Sequence, residues 1–190
     1  SNRFLRHFNF LSFPDIDDEN VSLIFSTMLN KFLEANRFQE DVKSNIQTVI
    51  HSSIEIYNTI VKELLPRPSR PHYLFNLRDV AKIFSGLLAA DSNHVKTGTQ
   101  LLRMWLHETQ RTFRDRLIDD EDRTWFDTLL TKQLNKHFRM KWNDVVTTDK
   151  LLYANFQVAG ADIKHYTEVT DLTKFTDVIN HYLEDYNNNN

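Results

Sequence analysis

The sequence predicts a mainly α protein with one or two short strands. Only three glycines and four prolines occur among the 190 residues, so few positions interrupt a helix. Apolar residues also recur at three- and four-residue spacing in six separate stretches, which is the period of an amphipathic helix. These two observations predict about six helices.

The first residues depart from this pattern. Phe8, Phe10 and Leu11 form a short apolar run that ends at Pro14, which predicts a strand. A single strand is not stable by itself, so we expect it to lie against another part of the protein.

Acidic residues at 15–19, Asp15 among them, supply a cap and a negative first turn for the first helix. The second helix starts near Gln39 and ends before the prolines of residues 66–71, because proline removes an amide donor and favours extended geometry. The predicted inward face of the first helix is Val21, Ile24, Phe25, Met28, Phe32 and Leu33.

Asn76 is placed to cap the third helix. A fourth helix is predicted from about Thr97 to Leu117, and a fifth follows the acidic residues 119–121. Trp105 and Trp125 fall on the apolar stripes of these two helices, so we expect both to be buried.

The helical pattern breaks down after residue 141. Residues 151–158 are predicted to form either a short strand or an extended arm. Asp171 is placed to cap a last helix, which has Leu172, Phe175 and Tyr182 on one face.

Composition argues against several classes of partner. The formal net charge of -3 argues against a general polyanion binder, so no nucleic acid is expected. No apolar run approaches the roughly 20 residues that span a bilayer, so no membrane partner is expected. The absence of cysteine excludes disulfides and cysteine-based metal sites.

The sequence contains no complete catalytic motif. Gly86, Gly98 and Gly160 stand alone, whereas a phosphate-binding loop needs clustered glycines. His107-Glu108 begins like a zinc-protease helix, but Arg111 occupies the second histidine position. We therefore interpret the pair as lying on a solvated helix edge, and expect no catalytic residue and no metal site.

Five arginines between residues 103 and 123 form a basic stretch. Acidic residues interleave with its arginines, which is typical of a solvated ion-pair face rather than a nucleic-acid footprint. The arginines are Arg103, Arg111, Arg114, Arg116 and Arg123.

Arg78 breaks a local rule, because it is a cation in the first turn after Asn76, where the helix dipole favours anions. Two interpretations stay open. Arg78 pairs with Asp79 or another carboxylate, or it holds a phosphate against this end of the helix.

Several ordered motifs resemble the third ATPase module of dynein heavy chains, particularly the axonemal ones. They are HYLFNLRDV at 72–80, LRMWLHE at 102–108, FRDRL at 113–117 and EDRTWF at 121–126. RHFN at 6–9 is similar to the last strand of that module's large subdomain. FQVAGAD at 156–162 is similar to the beginning of the fourth module, although Ala154-Asn155-Phe156 stands where the family commonly has Gly-Asp-Phe.

The resemblance implies a helical AAA+ lid subdomain. Residues 1–14 would then be the end of the large AAA+ subdomain, residues 15–140 the lid of the third module, and residues 141–190 the connection into the fourth module. It also implies two site residues. Arg78 matches the sensor-2 arginine, which reaches the nucleotide of its own module, and Arg6 matches the arginine finger, which reaches that of a neighbour.

The resemblance further implies a fragment of an ATP-driven microtubule motor for ciliary or flagellar beating, in the cytoplasm, cytoskeleton and axoneme. Its partners would be neighbouring AAA+ modules of the same heavy chain and, through the full motor, microtubules and other dynein chains. ATP or ADP with Mg²⁺ belongs to the intact motor, and the isolated chain is expected to bind none. The alternative is a stand-alone helical scaffold that binds a protein partner, whereas a metal-dependent hydrolase finds almost no support.

We predict that the 190-residue chain releases no phosphate from ATP above background. The printed sequence has no phosphate loop to position the nucleotide and no acidic strand end to hold Mg²⁺. Phosphate release with Mg²⁺ and ATP is the measurement, and turnover that survives repeated purification would contradict the prediction.

Overall fold

The computed structural model describes residues 2–14, 16–148, 150–162 and 164–189. These residues form eight α-helices and one two-stranded antiparallel sheet, which confirms a mainly α fold. Six helices have eleven residues or more and correspond to the six predicted ones. The helices are α1 (Asn2–Leu5), α2 (Asp18–Ala35), α3 (Glu40–Glu63), α4 (Leu77–Leu87), α5 (Gly98–Thr112), α6 (Asp120–Gln133), α7 (Trp142–Val145) and α8 (Leu172–Asn189).

Side-chain caps explain where several helices begin. The Asp17 carboxylate accepts a hydrogen bond from the Asn20 amide at 3.0 Å and starts α2, whereas Asp15 lies outside the described residues. Thr97 and Gln100 form a capping box at the start of α5. Asp171 accepts from the amides of Thr173 and Lys174 and caps α8 as predicted.

The core forms where α5 meets α3 and α4, while α2 packs on α3. Trp105 of α5 is fully buried, and its indole Nε1 donates to the Ser53 hydroxyl at 2.8 Å. The rings of Phe25 in α2 and Phe84 in α4 lie 4.2 Å apart and connect the outer helices to this centre.

Two predicted inward residues of α2 are exposed, namely Ile24 and Met28. The helix packs mainly on α3, so it buries a narrow stripe of Val21, Phe25, Leu29 and Leu33. The predicted face was therefore too wide and missed Leu29.

The predicted strand within residues 8–14 is wrong. The structure places α1 and a turn at residues 2–7, and residues 9–14 have no regular structure. No strand among the described residues pairs with this segment, so its ladder hydrogen bonds have no partner. Its apolar side chains are exposed as a consequence, including Phe10, Leu11 and Phe13.

The second half of the chain also differs in detail from the prediction. Helix α5 stops at Thr112, and after the buried Phe113 the chain continues as a 3₁₀ turn at Arg114–Arg116. Trp125 is partly rather than fully buried, because α6 turns Phe126 and Leu130 to the core. A π-helical turn, Leu134–Phe138, follows α6.

Of the two structures predicted for residues 151–158, a short strand or an extended arm, the short strand is the one observed. Strand β1 (Tyr153–Ala154) pairs with β2 (Thr167–Glu168), with Tyr153 opposite Glu168. Helix α8 follows β2 and contacts residue 156 through the rings of Phe175 and Tyr182. We call residues 141–170 the connector.

None of the helices in the described part of the chain is both long enough and apolar enough to cross a bilayer.

We predict that Trp105→Ala lowers the free energy of unfolding by about 3–5 kcal/mol, because it empties a fully buried site. Trp125→Ala is the matched control and should cost clearly less, since its ring is partly in solvent. Denaturant titration of both variants is the measurement. Equal losses would contradict the burial difference that the structure shows.

Candidate functional site

The start of α4 is defined by a capping box. The Asn76 side-chain oxygen accepts from the Arg78 amide at 2.9 Å, and the Asp79 carboxylate accepts from the Asn76 amide at 3.1 Å. This confirms the predicted cap. The remaining amides of the first turn give this end of α4 a partial positive charge.

Arg116 holds the segment that leads into α4. Its guanidinium donates to the carbonyl oxygens of His72 and Leu74 at 2.9 and 3.1 Å. It also pairs with Asp79 at 3.0 Å and lies over the Phe75 ring, 4.7 Å from the centroid. Arg116 therefore fixes the backbone before α4 to the 3₁₀ turn.

A second network fixes the same segment further upstream. Arg70 forms an ion pair with Asp122 at the start of α6, and the Tyr73 hydroxyl donates to the same carboxylate at 2.9 Å. The Tyr73 oxygen in turn accepts from the Ile118 amide at 3.1 Å. Because Tyr73 is buried, this network joins the loop before α4 to α6 through the protein interior.

Asp79 is not the partner of Arg78, which corrects one of the two open interpretations. Burial alone would raise the pKa of Asp79, but hydrogen bonds from Lys82 and the Asn76 amide, with the charge of Arg116, lower that pKa below its usual value. Among the described residues no carboxylate forms an ion pair with Arg78. Its side chain is exposed at the positive end of α4, an arrangement that can bind an anion such as a phosphate.

Arg6, the other predicted site residue, lies in the turn after α1. Its Nε donates to the neighbouring His7 at 3.3 Å, and both side chains are exposed. Within the described residues no hydrogen bond or ion pair joins Arg6 to the start of α4, so the structure does not bring Arg6 and Arg78 together.

His107 and Glu108 are buried, so the prediction of a solvated helix edge is wrong. The connector covers this side of α5. Glu108 accepts from the Arg111 guanidinium at 2.7 and 3.1 Å and from the Tyr166 hydroxyl. Gly86 of α4 lies against this carboxylate, and a β-carbon at Gly86 would approach the Glu108 Cδ to 2.1 Å.

The His107 ring packs against the connector as well. Its Nδ1 lies 3.1 Å from the Leu151 carbonyl oxygen, which can only accept, so Nδ1 carries the proton. Burial lowers the pKa of His107, which favours the neutral ring. With Arg111 paired to Glu108, these residues form a structural contact rather than a zinc-protease site.

The arginines of the basic stretch form ion pairs as predicted, but several of them pair with carboxylates outside the stretch, and not all of them are solvated. Arg114 makes a two-point contact with Asp127 of α6 at 2.7 and 2.9 Å. Arg103 is largely buried, and it binds the Glu168 carboxylate and the Val145 carbonyl oxygen. The paired charges tie α5 and the 3₁₀ turn to α6 and to the connector.

Comparison with known proteins agrees with this architecture. The family model described as an AAA+ lid domain matches residues 38–149. "Dynein axonemal heavy chain 1" of Homo sapiens is 40% identical over 195 residues, which covers 97% of this chain and 4% of that protein. The chain belongs to the AAA+ lid family of the dynein heavy chains. The Mus musculus protein of the same name is likewise 40% identical, over 97% of this chain and 5% of its own length. "Dynein axonemal heavy chain 6" of Homo sapiens is 37% identical over 188 residues, again 97% of this chain and 4% of its own length.

This chain therefore spans about a twentieth of the length of these dynein relatives. The helical AAA+ lid that the sequence resemblance implied is confirmed as its fold, built around α3, α4, α5 and α6.

A cluster of polar side chains that the sequence did not indicate joins the lid to the connector. Asp91 and His94 lie in the turn after α4, and His165 of the connector meets them. The three-residue spacing of Asp91 and His94 was visible in the sequence. His165 is too far along the chain for spacing to connect it with the other two.

We predict that Gly86→Ala destabilises the lid by about 1–3 kcal/mol, because the new methyl group would overlap the buried Glu108 side chain. In a Glu108→Ala background the same change should stabilise by up to about 1 kcal/mol, since alanine is the better helix former and the obstacle is gone. Denaturant titration of the four proteins in this cycle gives both values. The same sign in both backgrounds would contradict the close approach of Gly86 and Glu108.

Proposed function

We propose that this chain is the lid of the third ATPase module of an axonemal dynein heavy chain, with the segment that leads into the fourth module. Residues 1–14 would end the large subdomain, residues 15–140 form the lid, and residues 141–190 form the connection. The order of the motifs at 72–80, 102–108, 113–117 and 121–126 supports this position in the motor. The family match over residues 38–149 favours a motor lid over a stand-alone scaffold.

Arg78 is proposed to bind the terminal phosphate of the nucleotide held by the third module. The observation that supports this role is an exposed arginine without a carboxylate partner among the described residues, at the positive end of α4. A phosphate there would accept charge-assisted hydrogen bonds from the planar guanidinium and benefit from the helix dipole. The residues that position Mg²⁺ and the attacking water are expected on other parts of the motor.

The lid is suited to move as a rigid body when this contact forms or breaks. Arg116 fixes the backbone before α4 to the 3₁₀ turn, and the network of Arg70, Tyr73 and Asp122 fixes it to α6. A displacement of Arg78 therefore shifts the helical core as a unit instead of bending one loop. The connector follows, because Arg103 and Glu108 attach it to α5.

In the whole protein this movement would relay nucleotide state from one AAA+ module to its neighbour within an ATP-driven microtubule motor. We propose the cilium or flagellum axoneme as its location, since its relatives are named axonemal. Arg6 is proposed as the arginine finger that reaches the nucleotide of a neighbouring module, and the exposure of its side chain supports this role.

We predict that Arg78→Ala in the full-length motor weakens nucleotide binding at the third module and slows microtubule gliding. Arg78→Lys should restore little, because an ammonium lacks the planar fork of the guanidinium. Third-site nucleotide affinity and gliding velocity are the measurements. In the 190-residue chain, Arg78→Ala should change the free energy of unfolding by less than about 0.5 kcal/mol, as expected for a surface substitution.

Arg67→Ala is the matched control, because it removes the same charge from an exposed position eleven residues upstream. It should leave both motor measurements unchanged. Wild-type affinity and velocity in the Arg78→Ala motor would overturn the sensing role.

A further inference from the structure

The turn between α4 and α5 presents a carboxylate to two imidazole rings. Asp91 Oδ2 lies 3.2 Å from His94 Nδ1 and 2.9 Å from Nδ1 of His165. The other oxygen, Oδ1, accepts from the backbone and side-chain amides of Asn93 at 2.9 and 3.0 Å, which orients the carboxylate. The centroids of the two rings lie 5.0 Å apart, and both rings approach the same carboxylate oxygen.

These separations fit the ligand shell of a small metal ion. Ligands about 2.0–2.1 Å from a tetrahedral Zn²⁺ lie roughly 3.3 Å from one another. The three donor atoms lie within 4.8 Å of one another. Two of their separations, 3.2 and 2.9 Å, are close to the roughly 3.3 Å expected between ligands of Zn²⁺. Two imidazole nitrogens with one carboxylate suit zinc and neighbouring transition metals, whereas Ca²⁺ and Mg²⁺ prefer all-oxygen shells.

The surroundings of the cluster allow an ion to enter. The side chains of His94 and His165 are 45% and 47% exposed, and that of Asp91 is 21% exposed. Water can therefore complete a fourth position. The Asn93 amides supply the outer hydrogen bonds that hold a ligating carboxylate in one orientation.

We propose that Asp91, His94 and His165 bind a divalent transition-metal ion, with Zn²⁺ as the best fit. The ion joins two parts of the chain that are far apart in sequence, the turn after α4 and the connector before β2. His165 is adjacent to Tyr166, whose hydroxyl binds the buried Glu108. Zinc would therefore attach the connector to the turn after α4, in addition to its existing contacts with α5.

The test is calorimetric titration of the 190-residue chain with zinc chloride after removal of metals by a chelator. One equivalent should bind, and the melting temperature of the chain should rise when zinc is added. Cobalt(II) serves as a coloured substitute, and its visible absorption should intensify when the imidazole nitrogens replace water.

His94→Ala and His165→Ala should each weaken zinc binding by at least about tenfold, the lower end of what even an outer-shell change typically costs. Each should also abolish the rise in melting temperature that zinc causes. Because this rise is measured with and without zinc on the same variant, any effect of the substitution on the metal-free chain cancels. His181→Ala is the matched control, because His181 is 56% exposed and faces a single carboxylate, Asp185, at 3.5 Å. This variant should bind zinc like the parent.

Three results would overturn the proposal. They are the absence of one-equivalent binding, parental affinity in His165→Ala, and an equal loss of affinity in His181→Ala. In the first of these cases the two imidazoles serve only as hydrogen-bond partners of Asp91. None of these results bears on the role of Arg78, which is measured by nucleotide affinity.

Discussion

The carboxylate of Glu108 is fully buried, and the groups that compensate its charge come from α5 and from the connector. A buried charge is costly unless it is paired and hydrogen-bonded. Arg111 provides the ion pair from the same helix, and Tyr166 provides a hydroxyl from the connector. Gly86 leaves the space that the carboxylate occupies, so α4 can approach α5 closely. The close packing of α4 on α5 depends on this contact.

Charge compensation also explains why Arg78 is available at the start of α4. Asp79 is saturated by Lys82, Arg116 and the Asn76 amide. Arg116 is the cation that stabilises the start of α4 from within the protein, since its guanidinium also donates to two backbone carbonyl oxygens and lies over an aromatic ring. Two arginines that look alike in sequence thus differ in environment, and the exposed one retains its full capacity to bind an anion.

The sequence predicted the long helices well, because their period, caps and proline boundaries are local signals. Asn76 was identified as a cap for the same reason. Burial that depends on the arrangement of elements was less predictable. His107 and Glu108 looked like surface residues, since the connector that covers them lies more than forty residues downstream. The apolar run near Phe10 has the pattern of a strand, but a strand also requires a partner strand, which a local pattern does not reveal.

Arg103 has a mechanical consequence for the lid. Helix α8 buries no side chain completely in the part of the chain that the structure describes, so apart from its ring contacts with Phe156 it is attached to the core through β2. Arg103 donates two hydrogen bonds to the Glu168 carboxylate of that strand and one to the Val145 carbonyl oxygen. A pull on α8 along the chain therefore meets the buried side chain of Val169 first and the charge-assisted bonds of Arg103 next. Hydrogen bonds of this kind depend on distance and angle, so a small displacement of β2 is enough to weaken the link between the connector and α5.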